Sequence, residues 1–303
     1  MNDPAERFCF ATLALGKKYR DLASILAKDI AKYSPGTPFL ILTDRVRDFQ
    51  EETNVLAFSH RQELWCDNDK SFLIEKSLSL FDYCICIDAD MRILAPIPQD
   101  LRWSPGITAW SCCSLLKHHT RKGITSQALP YLQKIIHRLD LDSEFESIKW
   151  IHEYMFVVKK DSGKESEFVR LFEKISRYLE INGIEIGAGS AMGVAARKVG
   201  FPVRWSPEER IVFFKDRIVK YKIERERFQP DKKIQACLQL QGELEFPRYS
   251  WPQKILTKLN KIKRESARSL RLKINSLSDL EFYYFVQEIE SESPLNLSRP
   301  FSE

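Results

Sequence analysis

Tyr83-Cys84-Ile85-Cys86-Ile87-Asp88-Ala89-Asp90 is the stretch that decides the fold. Five apolar residues in a row read as a strand buried on both faces, and such strands belong to sheets covered by helices on each side. The run stops at two carboxylates separated by one alanine. In open α/β sheets ligands collect outside the carboxyl ends of the strands, and a two-residue spacing aims both side chains to one side. The Asp-x-Asp string alone is common, and the chain also holds Asp67-Asn68-Asp69 and Asp140-Leu141-Asp142. Only the middle copy follows directly on an apolar strand; the other two read as solvated loop or cap residues.

Outward from this strand, helices and strands alternate. Arg7 to Leu15 reads as a first buried strand, and Gly16 turns it into a helix with Tyr19, Leu22, Ile25, Leu26, Ile30 and Tyr33 at helical spacing. Ser34-Pro35-Gly36-Thr37-Pro38 ends that helix, a second strand runs from Phe39 to Asp44, and a weaker third from Val55 to Phe58. The spacing predicts a helix from about Lys70 to Phe81, leading into the strand at Tyr83. Beyond Asp90, strands are expected over Ile107 to Cys113 and Tyr154 to Val158. Between them, residues 115–150 are polar, basic and irregular, and read as a long excursion over the active-site face. A helix over Glu165 to Leu179, a Gly/Ala-rich stretch from Gly183 to Gly200 closing in a helix, and strands over 201–204 and 211–214 complete the body. The expected fold is α/β, a mostly parallel sheet flanked by helices over residues 1–230, followed by a mainly helical, partly basic extension over 231–303.

The chain has 303 residues, 44% of them hydrophobic, enough for one large domain with an appendage. No apolar run reaches the length of a membrane span and the N-terminus has no signal-peptide character, so a cytoplasmic protein is expected. Seven cysteines, an odd number, lie largely in apolar strand-like runs and read as reduced, buried thiols. Absence of a CxxC pair and of zinc-spaced histidines argues against structural zinc. The net charge of +5 concentrates between Lys254 and Lys273, where eight Lys or Arg face one Glu; the rest is near balance, which argues against a nucleic-acid groove. In that stretch Ile255, Leu259, Ile262 and Leu270 recur near helical spacing. This is either a helix packed on the domain by its apolar stripe or a basic amphipathic helix making peripheral contact with a membrane.

Two carboxylates at a strand end suit Mg²⁺ or Mn²⁺, which takes one or two protein oxygens and completes its shell from diphosphate and water. A lysine nearby adds to the stabilisation of a departing diphosphate: Lys70 opens the helix on the carboxyl-end face, and Lys76 lies a turn and a half further along. Asp44 ends the second strand on the same face. His152-Glu153 precedes the strand at Tyr154, where the Glu153 carboxylate is placed to orient or deprotonate an acceptor hydroxyl. Gly187-Ala188-Gly189-Ser190-Ala191-Met192-Gly193 is either a backbone cradle for sugar or phosphate or a small-residue helix packed on the sheet, with Glu185 beside it as a candidate sugar contact.

The run Ile85 to Leu94 resembles the DxD segment of GT-A-type glycosyltransferases, the group around glycogenin and bacterial galactosyltransferases, and the order of elements follows from Phe8 to about Asp216. The resemblance implies a nucleotide-sugar donor, with UDP-sugar expected, and a glycan, lipid or protein acceptor. Asp90 would ligate Mn²⁺ or Mg²⁺ directly and Asp88 would be shared between metal and ribose. Ala11, Thr12 and Leu13 would line the nucleoside pocket, with Asp44 near base or ribose. The C-terminal His-Gly and Lys-Pro-Trp signature of the glycogenin branch is absent, since the last histidine is His152. Either Asp216 completes the metal shell in its place or water does. Competing expectations are a sugar-phosphate nucleotidyltransferase, for which Gly16-Lys17-Lys18 makes a poor phosphate loop, and a non-catalytic binder of the same fold.

Overall fold

The computed structural model describes residues 6–98, 100–121, 126–225, 227–245 and 250–291. The first residues, expected to lack signal-peptide character, part of the 115–150 excursion and the last residues of the extension lie outside these. Among the described residues the chain is α/β, with a seven-stranded, mostly parallel sheet flanked by helices, compatible with a Rossmann-like arrangement.

The first half runs β1 (Phe8–Ala14), α1 (Lys17–Tyr33), β2 (Phe39–Thr43), β3 (Val55–Ser59), α2 (Lys70–Leu80) and β4 (Tyr83–Ile87). Strands β1, β2 and β3 pair in parallel, and the chain then crosses back so that β4 joins β1 on its other side, also in parallel. The reversal opens a crevice at the carboxyl ends of β1 and β4. Alternation within β4 shows why the strand is apolar throughout. Tyr83, Ile85 and Ile87 pack with α1 on one face, whereas Cys84 and Cys86 face the layer that contains α2, where their small thiols lie 3.8 Å apart. Burial holds the Cys86 thiol well above its ordinary pKa, so it behaves as an inert small hydrophobe.

The short β5 (Arg92–Ile93) leaves the sheet. β6 (Gly106–Ala109) returns to it, and β7 (Cys112–Ser114) pairs elsewhere with β8 (Lys149–Ile151). The expected single strand over 107–113 is therefore two, broken at Trp110 and Ser111. Residues 115–150 are also more regular than expected. They hold α3 (Leu115–His119) and α4 (Leu129–Arg138), which buries Leu129, Leu132, Ile135 and Ile136 on one face. β9 (Met155–Lys159) runs antiparallel between β4 and β6, and β10 (Val203–Trp205) closes the edge beside β6. β11 (Phe213–Phe214) does not join the main sheet but pairs with β5.

α5 (Lys164–Ile181) and α6 (Gly189–Lys198) cover the sheet face that carries Cys84 and Cys86. Beyond β11 the described chain is all helix: α7 (Asp216–Glu224), α8 (Lys232–Glu245), α9 (Trp251–Ser278) and α10 (Leu280–Glu290). These helices share the core of the body, since Phe282 and Ile289 are buried with α5 residues and Ile234 and Cys237 with Phe214. Each such side chain contributes roughly 1.5–3 kcal/mol by leaving water.

The Gly/Ala-rich stretch resolves toward packing. Every residue from Gly189 to Ala196 is buried, and a Cβ at Gly193 would come within 1.7 Å of the Lys149 carbonyl oxygen. Backbone of β8 occupies the space a side chain would need. Gly193→Ala is expected to cost roughly 1–3 kcal/mol through overpacking, read as a lower urea midpoint. Gly242→Ala in α8, with no heavy atom within 4 Å of its added Cβ, should leave the midpoint unchanged or higher; equal behaviour of the two variants would refute the close approach.

Candidate active site

At the crevice, β4 delivers Asp88 and Asp90 and β1 delivers Thr12 and Leu13 into a cleft of about 380 Å³. Trp65, Asp67 and Lys70 close one side of it. Lys215 and Arg217 close another, and Arg264 and Arg268 of α9 reach in from the extension.

The centre is a buried array of alternating charges. Lys70, 2% exposed, places its ammonium 2.7 Å from Asp88 Oδ1, 3.0 Å from Asp67 Oδ1 and 2.7 Å from the Glu153 carbonyl oxygen. An ammonium has three N–H donors, and all three are spent here. Burial works against its charge, but Asp67 and Asp88 outweigh it and hold the Lys70 pKa well up. Lys215, also buried, donates to Asp88 Oδ2 at 2.9 Å and to Asp90 Oδ1. Between two lysines, Asp88 is held well below the usual carboxylate range although burial opposes its charge. Asp90 moves the other way: burial raises its pKa despite the Lys215 contact.

The residues singled out from sequence divide accordingly. Asp88, Asp90, Lys70, Thr12 and Leu13 meet at the cleft, and the buried Thr12 hydroxyl has no hydrogen-bond partner among the described residues. Ala11 is fully buried in the strand behind them. Lys76 sits with its ammonium 4.3 Å from the Phe58 ring centroid, not at the cleft. Asp44 lines an adjoining cleft and accepts from Gly16 N–H at 3.0 Å and Arg20 Nη1 at 2.6 Å; it steadies the positive-φ glycine where β1 turns into α1.

Glu153 is used structurally. Its Oε1 accepts from Gly189 N–H at 2.8 Å, capping α6, and burial raises its pKa. Beside it His152 is pushed by burial to a pKa of about 4. Asp216 spends its oxygens on Arg217 N–H at 2.6 Å and Lys220 Nζ at 3.0 Å. Glu185 is exposed and away from the cleft lining.

Some site residues were not legible beforehand. Asp67 belongs to the site, and Asp69 is fully buried, accepting from Glu63 N–H and Leu64 N–H and bonding His60, so that string is no solvated loop. The clue was its position immediately before the helix that begins with Lys70. Asp140 and Asp142 stay peripheral, with Asp142 paired to the half-exposed His137. Lys215 and the α9 arginines lie more than a hundred residues from Asp88, and nothing local flags them.

Among the described residues no three or more His, Cys, Asp or Glu side chains gather into a metal-ligand group. The donor set is two carboxylates bridged by the Lys215 ammonium. That bridging position accepts a cation, and two carboxylates suffice for Mg²⁺ or Mn²⁺ when diphosphate and water complete the shell. Comparison with protein-family models and with curated proteins finds no match, so the chemistry is argued from these residues.

Removing Lys70 should leave Asp88 buried and short of a partner. Lys70→Met is expected to cost roughly 3–5 kcal/mol in urea unfolding, and adding Asp88→Asn should recover a large part of it. A double variant as unstable as the sum of the two single changes would show that the pair is not coupled.

Proposed function

We propose that the protein is a metal-dependent glycosyltransferase of the GT-A type. It moves a hexose from a nucleoside-diphosphate sugar, of which a UDP-sugar is the first choice, to a hydroxyl of a glycan, lipid or protein. The observation that carries this reading is the pairing of Asp88 and Asp90 at the end of β4 with the buried Thr12 hydroxyl, unpartnered among the described residues, at the end of β1, across one cleft. A nucleoside offers the hydrogen-bonding groups Thr12 lacks, and a diphosphate is the ligand that suits carboxylates, a cation and surrounding basic groups together.

In the reaction, the acceptor oxygen bonds to the anomeric carbon, the bond from that carbon to the diphosphate oxygen breaks, and the hydroxyl proton passes to the departing diphosphate. Negative charge collects on the leaving phosphate. A bound divalent cation, held by Asp88 and Asp90, supplies charge stabilisation without proton transfer. Lys215 and Arg217 line the same cleft and would offer positive charge to that phosphate. Lys70, with its donors spent, positions Asp88 and does not touch the donor. Water exclusion falls to Trp65 and α9. The turn from β1 through Gly16 goes straight into α1, and Lys17 is paired to Asp21 on the outside. This leaves no long phosphate loop of the kind a nucleotidyltransferase would use.

Thermal shift with UDP or GDP, each with and without Mn²⁺, tests donor binding, and assay of free nucleoside diphosphate from a sugar-nucleotide panel tests turnover. Stabilisation by one nucleotide only when Mn²⁺ is present is expected. Asp90→Asn should abolish it without lowering the melting point of the free protein by more than a few degrees, and Thr12→Val should weaken nucleotide binding several-fold. Pyrophosphate as product, or no stabilisation by any nucleotide, would sink the proposal. Lys215→Met should bind Mn²⁺ more tightly than the parent in the absence of nucleotide, by electron paramagnetic resonance of free Mn²⁺. Unchanged affinity would show that the ammonium does not compete for that position.

A further inference from the structure

The longest helix of the chain, α9, is 28 residues or about 42 Å, and it is attached on one side only. Arg268, Leu272 and Ser276 are its buried residues. Arg268 is ion-paired with Glu180 at the end of α5. On the opposite side Leu256, Leu259, Leu270, Ile274 and Leu277 are each between 55 and 76% exposed, in one apolar stripe. The exposed apolar positions continue past the junction with α10 through Leu280 and Tyr284. A folded chain does not ordinarily leave so long an apolar strip in water without a partner.

The charges choose between partners. α9 carries eight Lys or Arg and one acidic residue, Glu265. A second copy of this helix laid on the stripe would bring Lys263 and Lys273, which share the stripe's side, against like charge, because the one acidic residue lies on the other side and is paired with Lys261. A surface that is negative at its boundary and apolar just beneath satisfies both features. We infer that α9 docks on an anionic lipid bilayer, its stripe in the headgroup and acyl boundary and Lys263 and Lys273 on the headgroups. Tyr284, with an apolar ring and a polar handle, suits that boundary.

The same helix turns Arg264 and Arg268 toward the cleft, so the lipid-facing side and the cleft are separated by one helix, about 10 Å across. A docked α9 sets the cleft beside the headgroup layer, within reach of an acceptor hydroxyl on a lipid. That last step rests on the transferase reading. The docking does not.

Flotation of the full chain with vesicles of phosphatidylcholine alone, or with about 30% phosphatidylglycerol added, tests the docking. The expected result is flotation with the anionic vesicles only, reduced by salt. Leu259→Ser with Leu270→Ser should weaken it about tenfold or more, as should Lys263→Gln with Lys273→Gln, with melting points unchanged because these side chains are exposed. No flotation with either vesicle would overturn the inference. So would binding indifferent to the serine variant, or a dimer in solution that the serine variant converts to monomer while vesicles go unbound. Nucleotide binding by the serine variant, measured in parallel, separates failure of docking from failure of the transferase reading.

Discussion

The buried ammonium of Lys70 is the constraint on which the rest of the site depends. It ties the first residue of α2 to the end of β4 through Asp88, to the turn before α2 through Asp67, and to the approach to β9 through the Glu153 carbonyl. A lone buried cation is expensive and a lone buried carboxylate equally so. Each can be present only because the other is, and the elements that carry them are consequently held in one register. Ion pairs of this kind contribute little net stability compared with apolar residues of the same volume; what they impose is geometry. Here the geometry is that of two aspartates facing one cleft.

The constraint passes on through the backbone. Glu153 lends its carbonyl to Lys70 and its carboxylate to the first amide of α6, and α6 lies so close to β8 that only glycine fits at two of its positions. Asn68, in the turn beside Asp67, donates to the Ile186 carbonyl oxygen at 3.2 Å, closing the ring from the other side. Small residues in α6 are therefore part of how the carboxylates are held, although none of them reaches the cleft. A local reading of Gly187 to Gly193 as a phosphate cradle and a reading as helix packing differ in where the backbone amides go. The Gly189 amide goes to Glu153.

Periodicity made β1 to β4, α1, α2 and α5 legible, because each presents an unbroken apolar run or a regular apolar face, and position at a strand end singled out Asp88 and Asp90 among three matching strings. Signals failed where polar residues crowd a short element. In α4 the four buried residues sit among Pro130, Gln133, Lys134, His137 and Arg138, so the face was masked. The antiparallel direction of β9 has no local signature at all, since an apolar run reads the same in either sense. Lys215 was illegible for a different reason: it follows apolar Phe213 and Phe214, and only the pairing of β11 with β5 carries it to Asp88 and Asp90.

That pairing also alters what a boundary near residue 230 means. Among the described residues the last strand ends at Phe214 and every element beyond it is a helix, a change of element type at that point. The site does not respect it. Glu180, on α5, accepts the Trp65 amide with one oxygen and pairs with Arg268 of α9 through the other. One carboxylate thus fixes both the loop that walls the cleft and the helix that roofs it. An extension that merely decorated the body could be lost without consequence for the carboxylates. This one supplies positive charge opposite Asp88 and Asp90, where an anion of high charge density would otherwise meet two carboxylates with Lys70, Lys215 and Arg217 to offset them, and Lys70 has no donor left to give.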